Sequence, residues 1–415
     1  MSRITFTTMY DTTMRNVQHN ANKLNKLEEQ IASGRKLNRP SDNPVGFTNA
    51  LTYRNMLNSL SQQRVNMDDG EIYMTALEKT HNSMNNIFVR TRELAVQGAN
   101  DPLKHEDRLY INMEIRQNLE ELVTLAQTKH KDNYMFSGKW TNQPPYELKS
   151  GTADYIIIPN PNSTDPNDPV KIQILDGAFK DPNLLPPNDN PLAERMIPGS
   201  VNLGVDLLEK PYKNTDLPEN HLDYNQPDYE IDYVNGTITL FSERAKDYYL
   251  DSTGALKVDA PDMSFEYIYR NSIDMSGEIY RETDNDSLIK VNVNPSDLFG
   301  SGTQGQTDSF KEMIHLMQGL WHNEQTEIAE GIDKVDAART RNLEQQVITG
   351  ARMSKVEIVY DRNLDLAING TDAQSKLESV DLAEAFSQFA LADAVYSASL
   401  NAAARMMTQS LMNYL

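Results

Sequence analysis

Apolar residues recur at three- and four-residue spacing near the start of the chain. The stripe comprises Met14, Val17, Ala21, Leu24 and Ile31, with Glu28 as the one break. This spacing predicts a helix with one apolar seam, the pattern that coiled-coil partners bury.

Three further stripes with the same spacing follow along the chain. Two precede residue 146: Met74, Leu77, His81, Met84, Phe88, Thr91 and Ala95, and then Ile111, Ile115, Asn118, Leu122 and Leu125. The third comes late and comprises Phe310, Ile314, Met317, Trp321 and Ile328. We therefore predict helices before residue 146 and again after residue 307.

The last helix is apolar on more than one face. Its seam comprises Leu382, Phe386, Phe389, Asp393, Tyr396, Leu400, Ala403, Met407 and Tyr414, and Leu391 and Val395 lie outside it among many alanines. A helix that is hydrophobic nearly all round needs neighbours on several sides, and one paired helix cannot cover it. Contacts with other copies would do so; a buried helix of an ordinary globular domain is the alternative.

The middle of the chain has a different pattern. Residues 146–306 contain 14 of the 19 prolines and 11 of the 19 tyrosines, with short runs typical of strands at 155–158, 171–175 and 265–269. Asn235-Gly236 predicts a hairpin with a type I′ turn. We predict a β-rich segment with long loops.

These patterns predict a mostly α protein with a β-rich insert. The N- and C-terminal helices pair as a coiled coil, and the middle projects outward. Net charges of +3 over residues 1–45 and −2 over 376–415 favour that pairing weakly. The predicted segments are a coiled-coil core segment at 1–44, helical rod halves at 45–146 and 307–374, a β-rich outer domain at 147–306, and a second core segment at 375–415.

Composition and charge exclude several classes of protein. The formal net charge of −21 disfavours nucleic acid as a partner, and the absence of cysteine excludes disulfides and thiol chemistry. No apolar run approaches the roughly 18 residues of a membrane span. The first ten residues lack the pattern of a cleaved secretory signal, so we expect a cytoplasmic protein or one exported by another route.

Catalytic and metal-binding motifs are missing from the sequence. The seven histidines are scattered, and there is no phosphate-binding loop, nucleophile elbow or dinucleotide fingerprint. We therefore predict no catalytic, cofactor-binding or metal-binding residues. An enzyme whose site is assembled from scattered residues and a monomeric helical adaptor remain as alternatives to an assembly protein.

One motif carries a family resemblance. Residues 33–44, SGRKLNRPSDNP, can break one helix from the next: Gly34 ends the first, Pro40 blocks its continuation, and Ser41 or Asp42 caps the second, with Pro44 in its first turn. The order of these residues resembles the N-terminal motif of the bacterial flagellin family.

Three other stretches resemble the branch of that family that joins hook to filament. They are Arg3-Ile4-Thr5, the run 134–146 (YMFSGKWTNQPPY), and the tail from Asp381-Leu382-Ala383-Glu384-Ala385 to the last residue, where Asn413 replaces the usual Asp. The resemblance covers about residues 1–146 and 307–415.

The resemblance implies a structural subunit, not an enzyme, exported unfolded by the flagellar type III system and located in an external or periplasmic flagellum. A flagellin-like filament subunit is the alternative within the family. The implied partners are further copies in a ring, the neighbouring hook-side junction protein, flagellin, and a cytoplasmic export chaperone on the C-terminal helix. The predicted assembly interface comprises Met14, Val17, Leu24, Ile31, Phe386, Phe389, Tyr396, Leu400 and Met407.

Overall fold

The computed structural model describes residues 6–100, 103–153, 155–158, 169–174, 195–201, 203, 207–212, 217–218, 221–251, 254, 257, 263–271, 275–284, 287–300 and 308–412. Within these ranges the side chains of 6–7, 151–153, 155–158 and 406–412 are not described. The helices among the described residues are α1 Phe6–Ser33, α2 Pro44–Gly98, α3 His105–Ala126, α4 Glu243–Tyr249, α5 Pro295–Phe299, α6 Ser309–His322, α7 Gln325–Glu378 and α8 Leu382–Met412.

Antiparallel pairing dominates the strands. They are β1 Lys129–His130, β2 Asn133–Tyr134, β3 Tyr146–Ala153, β4 Tyr155–Ile158, β5 Val170–Ile174, β6 Tyr229–Asp232, β7 Thr237–Leu240, β8 Met263–Arg270, β9 Tyr280–Asp284 and β10 Ser287–Lys290. The largest sheet has the order β4-β5-β7-β6, and three two-stranded sheets pair β1 with β2, β3 with β8 and β9 with β10.

The chain divides into two compact units. Unit 1 comprises Met1–Met67, Thr283–Asp286 and Glu357–Leu415, and unit 2 comprises Asp68–Glu282 and Ser287–Val356. The long helices α2 and α7 contribute residues to both units.

Unit 1 contains two helix pairs. The first joins α1 to α8. The second joins the first half of α2 to the last part of α7, where Arg54 pairs with Glu378 at 2.7 Å and the amide of Asn363 donates to Oε1 of Gln63 at 3.1 Å.

The core of unit 2 is shared by helices and strands. The predicted stripe on α2 is buried along its whole length, and so are Phe310, Ile314 and Met317 of α6. The rings of Tyr146 and Phe310 lie 4.3 Å apart. Each such side chain contributes about 1.5–3 kcal/mol when it is removed from water. The β-rich segment and the helices therefore stabilise each other through one core.

Arg195 and Asp308 form a buried ion pair at the start of α6. Arg195 donates to Oδ2 of Asp308 at 2.6 Å, and Oδ1 of Asp308 accepts the backbone N–H of Lys311 at 2.8 Å. One carboxylate therefore both caps the helix and neutralises a buried guanidinium.

The predicted fold class, mostly α with a β-rich part and paired terminal helices, is confirmed. The three predicted strand runs are β4, β5 and β8. The hairpin at Asn235-Gly236 is also present, but the predicted two-residue type I′ turn is wrong. Asp232 pairs with Thr237, so the loop has four residues, and the Asp232 carboxylate accepts the backbone N–H groups of Val234 and Asn235.

Candidate assembly surface

The two helix breaks of unit 1 pair with each other through the backbone. The break after α1 presents Gly34 in the left-handed conformation (φ 67°), and Arg35 bridges to Ser379 in the break after α7. The N–H of Lys36 donates to the carbonyl of Glu378 at 2.6 Å, and that of Val380 donates to the carbonyl of Gly34 at 3.1 Å. Because the end of α1 meets the start of α8, the two helices run antiparallel.

Side chains of the 33–44 motif fix this geometry. Asn43 accepts the N–H of Gly46 at 3.0 Å, so Asn43 caps α2, and the predicted cap at Ser41 or Asp42 is wrong. Asp42 instead accepts the N–H of Arg39 and pairs with Lys26 of α1 at 2.8 Å. The hydrogen bond from Lys26 holds the pKa of Asp42 below its ordinary value.

The α1–α8 contact is a narrow seam with heptad spacing. The least exposed residues of α1 are Thr13, Val17, Asn20, Ala21, Leu24, Leu27, Glu29, Gln30 and Ile31, and those of α8 are Ala385, Phe389, Ala392, Tyr396, Ser399 and Ala403. The α8 residues are spaced four and three apart, which places them in one line on the helix.

The predicted interface residues fall into three groups. Val17, Leu24, Ile31, Phe389 and Tyr396 are half-buried in the seam. Met14, Phe386 and Leu400 are exposed by 39%, 56% and 44%. Met407 lies in α8, but its side chain is outside the description. The predicted residues therefore split between half-buried positions in the α1–α8 seam and exposed positions beside it.

The free surface of α8 is largely apolar. At 3.6 residues per turn, Leu382, Phe386 and Leu400 lie on one flank of the seam, and Leu391 and Val395 lie on the other. All five are exposed, Leu391 by 66%. Between residues 382 and 405 the charged residues are Glu384, Asp393 and Arg405. The outer face of α1 is polar, with Arg15, Asn22 and Lys23 exposed among others.

The sequence prediction missed the small residues of the seam. Its buried members are Ala385, Ala392 and Ala403 of α8 and Leu27 of α1, and of these only Ala403 belonged to a predicted stripe. The sequence does contain the heptad spacing of the seam, at positions 385, 389, 392, 396, 399 and 403. The prediction instead included Phe386 and Leu400, because they are larger and more apolar than the residues that precede them.

The described part of the chain contains neither a metal-binding cluster of side chains nor a membrane-spanning helix. No group of three or more His, Asp or Glu side chains there could hold a metal ion. Among the same residues, no helix is both long and apolar enough to cross a bilayer.

The N-terminal helices match a known protein family. Residues 4–141 match the family model described as the bacterial flagellin N-terminal helical region. Residues 4–141 are therefore similar to the N-terminal helical region of flagellins. The resemblance predicted from the 33–44 motif is thus confirmed.

Individual relatives agree over the same part of the chain. A flagellin of Clostridium tyrobutyricum is 32% identical over 120 residues, 29% of this chain and 32% of that one. The flagellar filament 41 kDa core protein of Borreliella burgdorferi is 32% identical over 130 residues, 31% of this chain and 39% of that one. The chain thus matches less than half the length of these relatives. A solved structure of a putative flagellar hook-associated protein from Vibrio parahaemolyticus covers 81% of this chain and 100% of its own, with a TM-score of 0.47 and 11% identity.

Proposed function

We propose that this chain is a structural subunit of the bacterial flagellum, built into the junction between hook and filament. The observation that carries the proposal is the apolar free surface of α8 on a chain that begins with a flagellin region. Exposed Phe386, Leu391 and Leu400 on one long helix are costly in water and are stabilised when neighbouring copies cover them. The role is structural and not catalytic.

The choice of the junction within the flagellum rests on sequence. The stretch 134–146 and the tail from Asp381 to the last residue resemble the junction branch of the family. We infer that further copies form a ring through α1 and α8. The other proposed partners are the hook-side junction protein, flagellin, and an export chaperone that binds α8 before unfolded export by the type III apparatus.

Immunogold labelling of isolated flagella tests this proposal. An antibody raised against residues 308–356, outside the proposed α1–α8 contact, should label one narrow band at the boundary between hook and filament. Flagella from a strain that lacks the gene are the control.

The relatives named as flagellin and filament core protein favour a second candidate, a filament subunit. Label along the whole filament would support that candidate and overturn the junction assignment. Flagella without label, from cells that contain the protein, would favour a helical adaptor outside the flagellum.

A further inference from the structure

A buried polar pair joins α2 and α7 inside unit 2. Nδ1 of His81 donates to Oδ1 of Asn342 at 2.7 Å, and the amide of Asn342 donates to the backbone carbonyl of His81 at 2.9 Å. Both side chains are fully buried. The neighbours of His81 in the stripe, Leu77 and Met84, are apolar and equally buried. The pair is therefore a buried polar contact between apolar neighbours of the stripe, and Arg339 of α7 donates to Asn85 of α2 at 3.0 Å beside it.

Polar contacts at the edges of the same seam agree with one alignment of the two helices. Gln346 donates to Asn82 at 2.9 Å, and Arg92 donates to Asp336 at 2.8 Å. In these contacts the residue numbers on α7 decrease as those on α2 increase, so the two helices are antiparallel. These edge contacts involve exposed side chains, which hold a register weakly because water replaces them readily.

Apolar side chains alone define the alignment poorly, because an apolar stripe repeats about every helical turn. A shift of α7 by one turn replaces Asn342 opposite His81 by Ala338 in one direction or Gln346 in the other. In the first shifted alignment, Ala338 would leave Nδ1 of His81 buried without a hydrogen-bond partner. In the second, the longer side chain of Gln346 would have to fit into the space that Asn342 occupies. Burying a polar group without a hydrogen-bond partner costs more free energy than burying an apolar side chain. The pair therefore favours the native alignment over the two shifted ones.

We propose that the His81–Asn342 pair fixes the register of α7 against α2 and excludes pairings shifted by one helical turn. The observations that carry the proposal lie in unit 2, and the proposal is independent of the flagellar role. Unit 1 has a pair of the same kind in its own part of these helices, the buried contact between Gln63 and Asn363.

Cross-linking can read the register directly, since the chain has no cysteine. Three double-cysteine proteins share Gln346→Cys on α7 and carry a second cysteine on α2. Asn82→Cys reports the native register, and Glu78→Cys and Asn86→Cys report shifts of one turn in either direction. Purified proteins are treated with dibromobimane, which joins thiols only at short range. Each pair is compared in the wild-type background and with His81→Leu and Asn342→Leu together.

In the wild-type background the native pair should cross-link and the two shifted pairs should not. In the doubly apolar background the yield of a shifted pair should rise about tenfold relative to the native one, as the loss of a buried hydrogen-bonded pair allows. His81→Gln, which keeps a donor toward Asn342, should restore the wild-type pattern. An unchanged pattern in the folded doubly apolar protein would overturn the proposal. So would failure of that protein to fold by circular dichroism, since the pair would then be needed for stability and not for register.

Discussion

His81 shows how one buried polar residue changes the behaviour of an apolar stripe. Its Nδ1 is hydrogen-bonded to Asn342, while its Nε2 is buried and has no hydrogen-bond partner among the described residues. Burial lowers the pKa of His81, and the hydrogen bond to Asn342 opposes that effect only in part. The imidazole is therefore neutral in the folded protein at neutral pH.

A pH dependence of stability follows from this lowered pKa. The unfolded chain takes up a proton at His81 near its ordinary pKa of about 6.5, and the folded chain does so only at lower pH. The contribution of His81 is complete above pH 6.5 and is lost as the pH falls toward the folded pKa. In urea unfolding between pH 8 and pH 5, wild type should therefore lose more stability than His81→Gln. Parallel profiles of wild type and His81→Gln would contradict the prediction.

Two glycines provide a matched pair of substitutions. Gly34 has φ 67°, and Gly350 lies within α7; a Cβ at either position meets no atom within 4 Å. A methyl group would therefore fit at both positions, and the two positions differ in their backbone conformation. Gly34→Ala should destabilise unit 1 by about 1–2 kcal/mol, because the left-handed conformation disfavours a side chain. Gly350→Ala should stabilise unit 2 by up to about 1 kcal/mol, because alanine prefers a helix. Urea unfolding followed by circular dichroism measures both; effects of the same sign would refute this account.

At the scale of the helix, α8 carries two kinds of apolar residue. Its buried alanines and half-buried Phe389 and Tyr396 face α1, whereas Phe386 and Leu400 lie on an exposed flank of the seam. Small side chains at the contact allow the two helices to approach closely, whereas Phe386 and Leu400 are 56% and 44% exposed. Neighbouring positions of α8 therefore serve different purposes: one set packs against α1, and the other remains available for the proposed contacts with other copies.

Leu400→Asp tests the proposed role of the outer flank. The side chain is partly exposed in the single chain, so the new charge should leave the helix content of the purified protein unchanged. In an assembled core the same charge would lose its water without gaining a partner, at a cost of several kcal/mol per subunit. Filament growth should therefore stop, as seen by electron microscopy of the appendages and by swimming.

Two controls accompany that variant. Asn22→Asp adds the same charge on the exposed face of α1, and Asp393→Ala removes an exposed charge from α8. Both should give close to normal filaments. Normal filaments from Leu400→Asp cells would mean that this flank stays in water, and the proposed core would have to be abandoned.

At the scale of the whole molecule, the two units differ in how they are stabilised. Unit 2 has a core of large buried side chains drawn from helices and strands. The α1–α8 pair of unit 1 buries mainly alanines and one leucine, Leu27. Fewer buried methylene groups give less stabilisation, at about 0.8 kcal/mol for each. The pair should therefore open more often than unit 2.

Limited proteolysis of a verified monomer measures this difference. Trypsin should cut first at exposed Arg15, Lys23 and Arg405, and only later at buried Arg108 and Lys311. Mass spectrometry over time should show α1 and α8 removed from a persistent fragment of unit 2. Simultaneous loss of all five sites would instead indicate that the monomer unfolds as one cooperative body.

The sequence by itself determined the helical class, the stripes of α2, α3 and α6, the strands β4, β5 and β8, and the break at Gly34. These features depend on local spacing and local turn chemistry, which the order of residues contains. The tertiary structure alone decided which side of α8 meets α1, because the helix is apolar nearly all round and its period fits several seams. It also decided that Asn43 and not Asp42 caps α2, since Lys26 and the N–H of Arg39 engage Asp42, and it brought His81 to Asn342 across 261 positions of the chain. Such choices arise from contacts between distant segments, which no local pattern records.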